Sequence, residues 1–200
     1  MPADPPPQPT GPANRPRTGR ARNEQARRDI LAATLALARH DLGGTTVDSI
    51  AVRAGVGKQT IYRWWPSKWA VILEALLGHA ERKVVTNVGT GPLAERLTTF
   101  LVSSFALLAG PDGDGPLLRA LMAHAQTDPG FAVVWRDEFI LPRRRALLQL
   151  LDIGRPDDRE AAVDMLFGGM WYRLLVGHGP LDDAYARRLA AAATGLLKSK

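Results

Sequence analysis

The stretch KQTIYRWWPSK (58–68) sets several side chains able to grip a polyanion close together. Ile61 and Trp65 sit four apart, as do Ile50 and Ala54 just before them, so each pair shares one helical face. Burying those pairs together turns Lys58, Gln59, Tyr62 and Arg63 outward. Arg or Lys can address guanine O6 and N7, and Gln can address adenine N6 and N7. Trp64, at the helix end, can lay its ring on a deoxyribose and offer its indole N–H to a phosphate. The chemistry on offer is recognition of DNA.

Such a face needs two short helices held at a fixed angle. Thr46 to about Ala54 reads as the first, with Thr45 as N-cap and Asp48 at N3 in a capping-box pattern. Gly55-Val56-Gly57 is a tight turn, in which Gly55 can take the positive φ of a sharp reversal. Lys58 to Trp65 reads as the second helix, ended by Pro66, because the residue before a proline disfavours helical backbone. Together these make a helix-turn-helix. Ser67 caps a following helix that runs to about Thr86, and Lys68 stands at its N-terminus. A cation is unfavourable there unless a phosphate shares the site. Trp69 is expected against the first helix or over the DNA-facing rim.

Charge supports the same assignment. Residues 1–85 hold 13 Lys and Arg against 7 Asp and Glu, whereas residues 86–200 hold 13 of each, so the whole positive excess lies in the first part. That asymmetry implies an N-terminal module facing a polyanion and a C-terminal module with another task. Residues 1–16 contain seven prolines and read as a disordered tail. The basic arm that follows carries Arg20 and Arg22 toward the DNA backbone.

The rest of the chain is helical in period. Ile30, Leu31, Thr34, Leu37 and Ala38 mark a first helix from about Asn23 to His40. Leu93, Leu97, Phe100, Leu101, Ser104 and Leu108 make a later stripe. Further helices are expected over about 117–126, 130–152 (kinked or broken at Pro142), from GRPDD (154–158) to about 177, and over 181–197. No segment alternates as a strand does, so the fold class is all-α with about nine helices. The expected organisation is a Pro-rich tail at 1–18, the helix-turn-helix domain at 19–66, a connecting helix at 67–86 and a C-terminal domain at 87–200. The sequence has no cysteine, which rules out disulfides and thiol chemistry. No apolar run approaches the ~20 residues of a membrane span. A cytoplasmic address without membrane contact is expected. The four histidines, His40, His79, His124 and His178, have no metal-ligand spacing, and GDG at 113–115 lacks the Lys-Ser/Thr of a phosphate loop. No catalytic residue, metal or cofactor is expected.

The segment TTVDSIAVRAGVGKQTIYRWWPSKWAVILEAL (45–76) resembles the N-terminal signature of the TetR family of bacterial transcriptional regulators. The matching elements are Thr46, Ile50-Ala51, Ala54-Gly55-Val56, Thr60-Ile61-Tyr62 and Pro66-Ser67-Lys68. The resemblance implies that Lys58, Gln59, Thr60 and Arg63 reach base edges, while Thr46, Tyr62 and Lys68 touch the sugar-phosphate backbone. Two positions depart from the pattern: Gly57 replaces the usual Ser, and Trp69 replaces a common Glu. The resemblance also implies a palindromic double-stranded DNA operator, a homodimer and a small apolar or amphipathic effector bound in the C-terminal domain. Candidate pocket residues are Phe105, Met122, His124, Trp135, Phe139 and Trp171. Small residues that permit close helix approach nominate Phe167, Gly168, Gly169, Met170, Ala190 and Ala193 for the dimer interface. PRRR (142–145) reads as a solvated face. The function expected is a repressor released by its effector, and the rival readings are a small all-α enzyme with a basic surface and a DNA binder without effector.

Overall fold

The computed structural model describes residues 18–83, 88–110 and 113–199. Among the described residues every regular element is helical. The first four helices are α1 (Thr18–His40), α2 (Val47–Ala54), α3 (Lys58–Tyr62) and α4 (Lys68–Lys83). They are followed by α5 (Leu93–Ala109), α6 (Gly115–Thr127), α7 (Pro129–Val134), α8 (Leu141–Leu150), α9 (Pro156–Val176) and α10 (Asp183–Lys198). Between α7 and α8, Trp135–Ile140 forms a π-helical segment, and the backbone stays right-handed helical on both sides of it. These three pieces are one continuous helix, so the all-α expectation of about nine helices holds. At Pro142, where a kink or break is expected, the helix does not break but changes register just before the proline. The proline ring would clash with the carbonyl of Glu138, four residues back, and the wider π turn lies at that place.

Two apolar cores organise the chain. The smaller gathers Ile30 of α1, Val47, Ile50 and Ala51 of α2, Ile61 of α3, then Trp65 and Val71. The larger takes Ile72, Leu73 and Leu76 of α4 and the apolar faces of α5 to α10. α4 is common to both, Val71 facing one core and the adjacent Ile72 and Leu73 the other. Each fully buried aliphatic side chain contributes about 1.5–3 kcal/mol relative to exposure. The stripe predicted on α5 is buried throughout. Thr34 joins the apolar face of α1 because its hydroxyl donates to the Ile30 carbonyl at 2.7 Å, leaving no unpaired polar atom.

Several local expectations need correction. α1 already includes Thr18, and the Pro-rich segment 1–17 lies outside the described residues. The N-cap of α2 is Thr46, not Thr45: its side chain accepts the Ser49 N–H at 3.1 Å, and the Ser49 hydroxyl accepts the Thr46 N–H at 2.9 Å. Thr45 is buried and donates its hydroxyl to the Asp41 carbonyl at 2.7 Å. Regular helix in α3 ends at Tyr62, and the next residues close as a turn, with Trp65 N–H bonded to the Ile61 carbonyl at 3.0 Å. Gly55 does take the positive φ, at 65°, that the turn asks of it.

Candidate nucleic-acid interface and core cavity

α3 carries two faces. Ile61 is fully buried and Trp65 nearly so, which fixes the helix on its core. Lys58, Gln59 and Arg63 are exposed, Tyr62 is 52% exposed, and Thr60 lies half-buried at the edge. Gly57 caps α3 without a side-chain bond, the consequence of its missing hydroxyl. Lys58 Nζ stands 2.6 Å from Asp48 Oδ1, so the carboxylate at N2 of α2, which the cap does not use, holds this cation on the outer face. The pair is exposed on both sides and holds Lys58 only weakly. The Arg63 guanidinium lies 5.1 Å from the centre of the Trp64 ring. Thr46, exposed at the N-terminus of α2, uses a lone pair in its cap.

The tryptophans have separate tasks. Trp65 donates its indole N–H to Glu74 at 2.8 Å, and Glu74 also accepts from Arg27 at 2.8 Å, tying α1 and α4 to the end of the reading segment. Trp64 is half-buried and meets Trp65 edge-on at 5.5 Å. Ser67 caps α4, accepting the Ala70 N–H at 3.3 Å. Lys68 donates to the Thr45 carbonyl at 3.0 Å, which bridges the starts of α4 and α2. Trp69 lies on the side of the larger core. It stacks on His124 of α6 at 4.5 Å and packs against the larger core, because helical phase carries it to the opposite side of α4 from Val71. Arg22 is exposed on α1, and Arg20 falls where only backbone is described.

A buried junction that sequence reasoning missed joins the two cores. Asp114, in the GDG turn before α6, is fully buried. Arg39 at the end of α1 donates to its Oδ1 at 2.7 Å and also meets His79 Nδ1 at 2.6 Å. Arginine has no acceptor, so Nδ1 of His79 must accept. The Asp114 Oδ2 has no hydrogen-bond partner among the described residues and lies 3.8 Å from the same ring nitrogen. The only signal in the sequence was an acid in a glycine turn.

Inside the larger core lies a cavity of about 250 Å³. Its walls include Leu77, Phe100, Phe139, Phe167, Met170 and Trp171, with Glu81, Glu138 and Arg143 as its charged side chains. Of the pocket candidates, Phe139 and Trp171 line it. Phe105 and Trp135 are buried in the core beside it, and Met122 and His124 lie away from it, His124 being taken by Trp69 and by Phe131 at 4.9 Å. Phe167 and Met170, nominated for the dimer interface, belong to the cavity wall instead. Ala190 and Ala193 are fully buried within the chain, since this face of α10 packs on α5 and α9. Gly169 is also spent internally: a Cβ there would stand 2.7 Å from the Tyr185 hydroxyl. Gly168 alone of the six opens outward, with nothing within 4 Å of an added Cβ. Around it, Met165, Tyr172, Leu175 and Val176 are exposed along α9.

Comparisons with known proteins agree with this arrangement. Residues 30–75 match the family described as bacterial regulatory proteins of the tetR family, and residues 88–193 match the tetracyclin repressor-like C-terminal domain. The uncharacterised HTH-type transcriptional regulator YdeS of Bacillus subtilis is 32% identical over 179 residues, covering 86% of this chain and 89% of its own. The DNA-binding transcriptional repressor TetR of Mycobacteroides abscessus is 31% identical over 185 residues, covering 84% and 92%. The crystal structure of the TetR family transcription regulator SCO0332 superposes with a TM-score of 0.71 at 30% identity, covering 86% of this chain and 98% of that one. These relatives are regulators of transcription and not enzymes. Among the described residues no helix is long and apolar enough to cross a membrane. The exposed polar face of α3, the helical C-terminal part and these relatives together make the chain a member of the TetR family of DNA-binding transcriptional regulators.

Proposed function

We propose that the protein is a dimeric repressor that reads a palindromic operator with α3 and releases it when a small molecule fills the core cavity. The observation carrying this reading is the outward row of Lys58, Gln59, Tyr62 and Arg63 over a helix pinned from behind by Ile61 and Trp65. Lys58, Gln59, Thr60 and Arg63 address base edges. Thr46, Tyr62, Trp64 and Lys68 contact sugar and phosphate, with Arg20 and Arg22 following the backbone. Two copies place α3 in major grooves one helical turn apart, about 34–36 Å. The dimer contact is assigned to the exposed stripe Met165, Gly168, Tyr172, Leu175 and Val176 of α9, beside the outward Ala191, Ala192 and Gly195 of α10. A ligand that prefers a conformation with another α3 spacing shifts the equilibrium away from DNA by its differential affinity.

The test is a gel shift with genomic fragments at two salt concentrations, followed by sequencing of the retained DNA. Retention of a palindromic site that weakens as salt rises supports the reading. Equal retention of all fragments would leave a non-specific basic protein in its place.

A further inference from the structure

The run PRRR (142–145) does not form one solvated face. Arg144 reaches across to α9, where it pairs with Glu160 at 2.5 Å and with Asp164, and Arg145 is exposed. Arg143 turns the other way, into the wall of the cavity. Its guanidinium lies 3.8 Å from the centre of the Phe139 ring. Its single hydrogen bond among the described residues is a 3.3 Å donation to the Phe139 carbonyl, and no carboxylate there pairs with it. Glu81 and Glu138 also border the cavity, but both are exposed at its rim, where water screens them. Burial pulls the Arg143 guanidinium down to about 10, with the charge of Glu81 opposing that shift only in part. At neutral pH the group is still a cation, and a half-buried cation with spare donors favours an anion.

The remaining walls are apolar and largely aromatic: Phe100, Phe139, Phe167 and Trp171. The volume of about 250 Å³ lies just below the roughly 300–1,000 Å³ of pockets that hold drug-sized ligands. It suits a small flat or compact body better than a drug-sized one. Phe139 and Glu138 sit on the π-helical turn, an irregularity that recurs at functional sites. Phe139, Pro142, Arg143 and Ala146 follow at the i, i+3, i+4, i+7 spacing of one helical face and share the cavity wall.

We infer that the cavity takes a small aromatic or compact apolar monocarboxylate, its body between Phe100, Phe139, Phe167 and Trp171 and its carboxylate on Arg143. The inference rests on the proposed effector role of the cavity but adds the ligand's chemical class. A charge series on one body tests it: 2-naphthoate, 2-naphthamide and 2-naphthylmethylammonium, titrated into the full chain by isothermal calorimetry at neutral pH. The anion binds tighter than the amide by about tenfold or more, as expected for charge-assisted hydrogen bonds, and the cation binds weakest. Arg143→Met keeps the side chain's apolar stem over Phe139 and brings the anion down to the level of the amide. Arg143→Lys keeps the charge and part of the preference, so a loss in both variants with unchanged amide binding is not a folding defect. Equal affinity across the series, preference for the cation, absence of binding at millimolar concentration, or an unchanged anion affinity in Arg143→Met would overturn the inference. A parallel gel shift separates the two levels. Naphthoate that binds through Arg143 without releasing DNA supports the ligand class and refutes the effector reading. Release by the amide and the anion alike does the reverse.

Discussion

Lys68→Met separates two tasks that the structure loads onto one ammonium. Lys68 donates to the Thr45 carbonyl at 3.0 Å and is half-buried, so part of its role is to hold the starts of α4 and α2 together. A hydrogen bond from a charged donor contributes about 1.5–3 kcal/mol. Half-exposure and the retained apolar stem of Met reduce the expected cost to about 1 kcal/mol. The ammonium carries three donors, and the carbonyl uses one, which leaves two for a phosphate. Each phosphate neutralised adds about 0.9 to the slope of log affinity against log salt, so a dimer that loses both Lys68 contacts loses about 1.8. Fluorescence anisotropy on a labelled operator between about 50 and 200 mM salt measures that slope. Urea unfolding of the free protein measures the stability term separately. A stability loss with an unchanged salt slope would refute the phosphate contact and leave Lys68 as a purely structural tie.

Other perturbations have equally direct readouts. Asp114→Ala removes the carboxylate that Arg39 meets at the junction of α1, α4 and α6, and breaking such a buried pair costs about 3 kcal/mol by urea unfolding. A change below about 0.5 kcal/mol would show that the junction contributes little. Trp69→Ala deletes the ring stacked on His124 and, being half-buried, costs about 2–3 kcal/mol by the same measurement, without the change in salt slope expected of a DNA contact. Asp152 accepts from Arg96 at 2.8 Å, and this hydrogen bond holds its carboxyl below the ordinary value. A depressed carboxylate stabilises the fold above the unfolded value of about 3.9, and that contribution disappears as pH falls through the folded value. In Arg96→Met the Asp152 carboxyl should move up toward about 3.9 in a carbon-detected NMR titration; no movement would contradict the assigned cause.

The sequence was most informative where one periodicity decided the outcome. The α5 stripe and the inward pair Ile61 and Trp65 follow from spacing alone, because a helix in a globular protein has one apolar face to bury. Adjacent threonines were harder. Thr45 and Thr46 are both competent caps, and both have an acceptor three residues on, so only the burial of Val47 and Ile50 sets the phase that selects Thr46. Small residues were harder still. Gly168-Gly169 and Ala190 to Ala193 signal close approach but not whose helix approaches, and α5 and α9 of the same chain occupy most of that space. The cavity was only half legible: Phe139 and Trp171 line it, whereas Arg143 stands in a basic run that reads as solvated, and only the packing of α8 turns it inward. Trp69 and Asp114 depend on partners 55 and 75 positions away, His124 and Arg39, and pairings at that distance leave no local pattern.

DNA selection from a randomised duplex library, run with the intact protein and with Arg63→Ala, tests the reading role of α3 most directly. The intact protein should enrich a palindrome with half-site centres about 10 base pairs apart. Arg63→Ala should keep the spacing and lose preference at one position in each half-site, at a cost of about 1–3 kcal/mol for the preferred base. An identical enriched sequence in the variant, or no enrichment by the intact protein, would contradict the assignment of α3 as the reading helix.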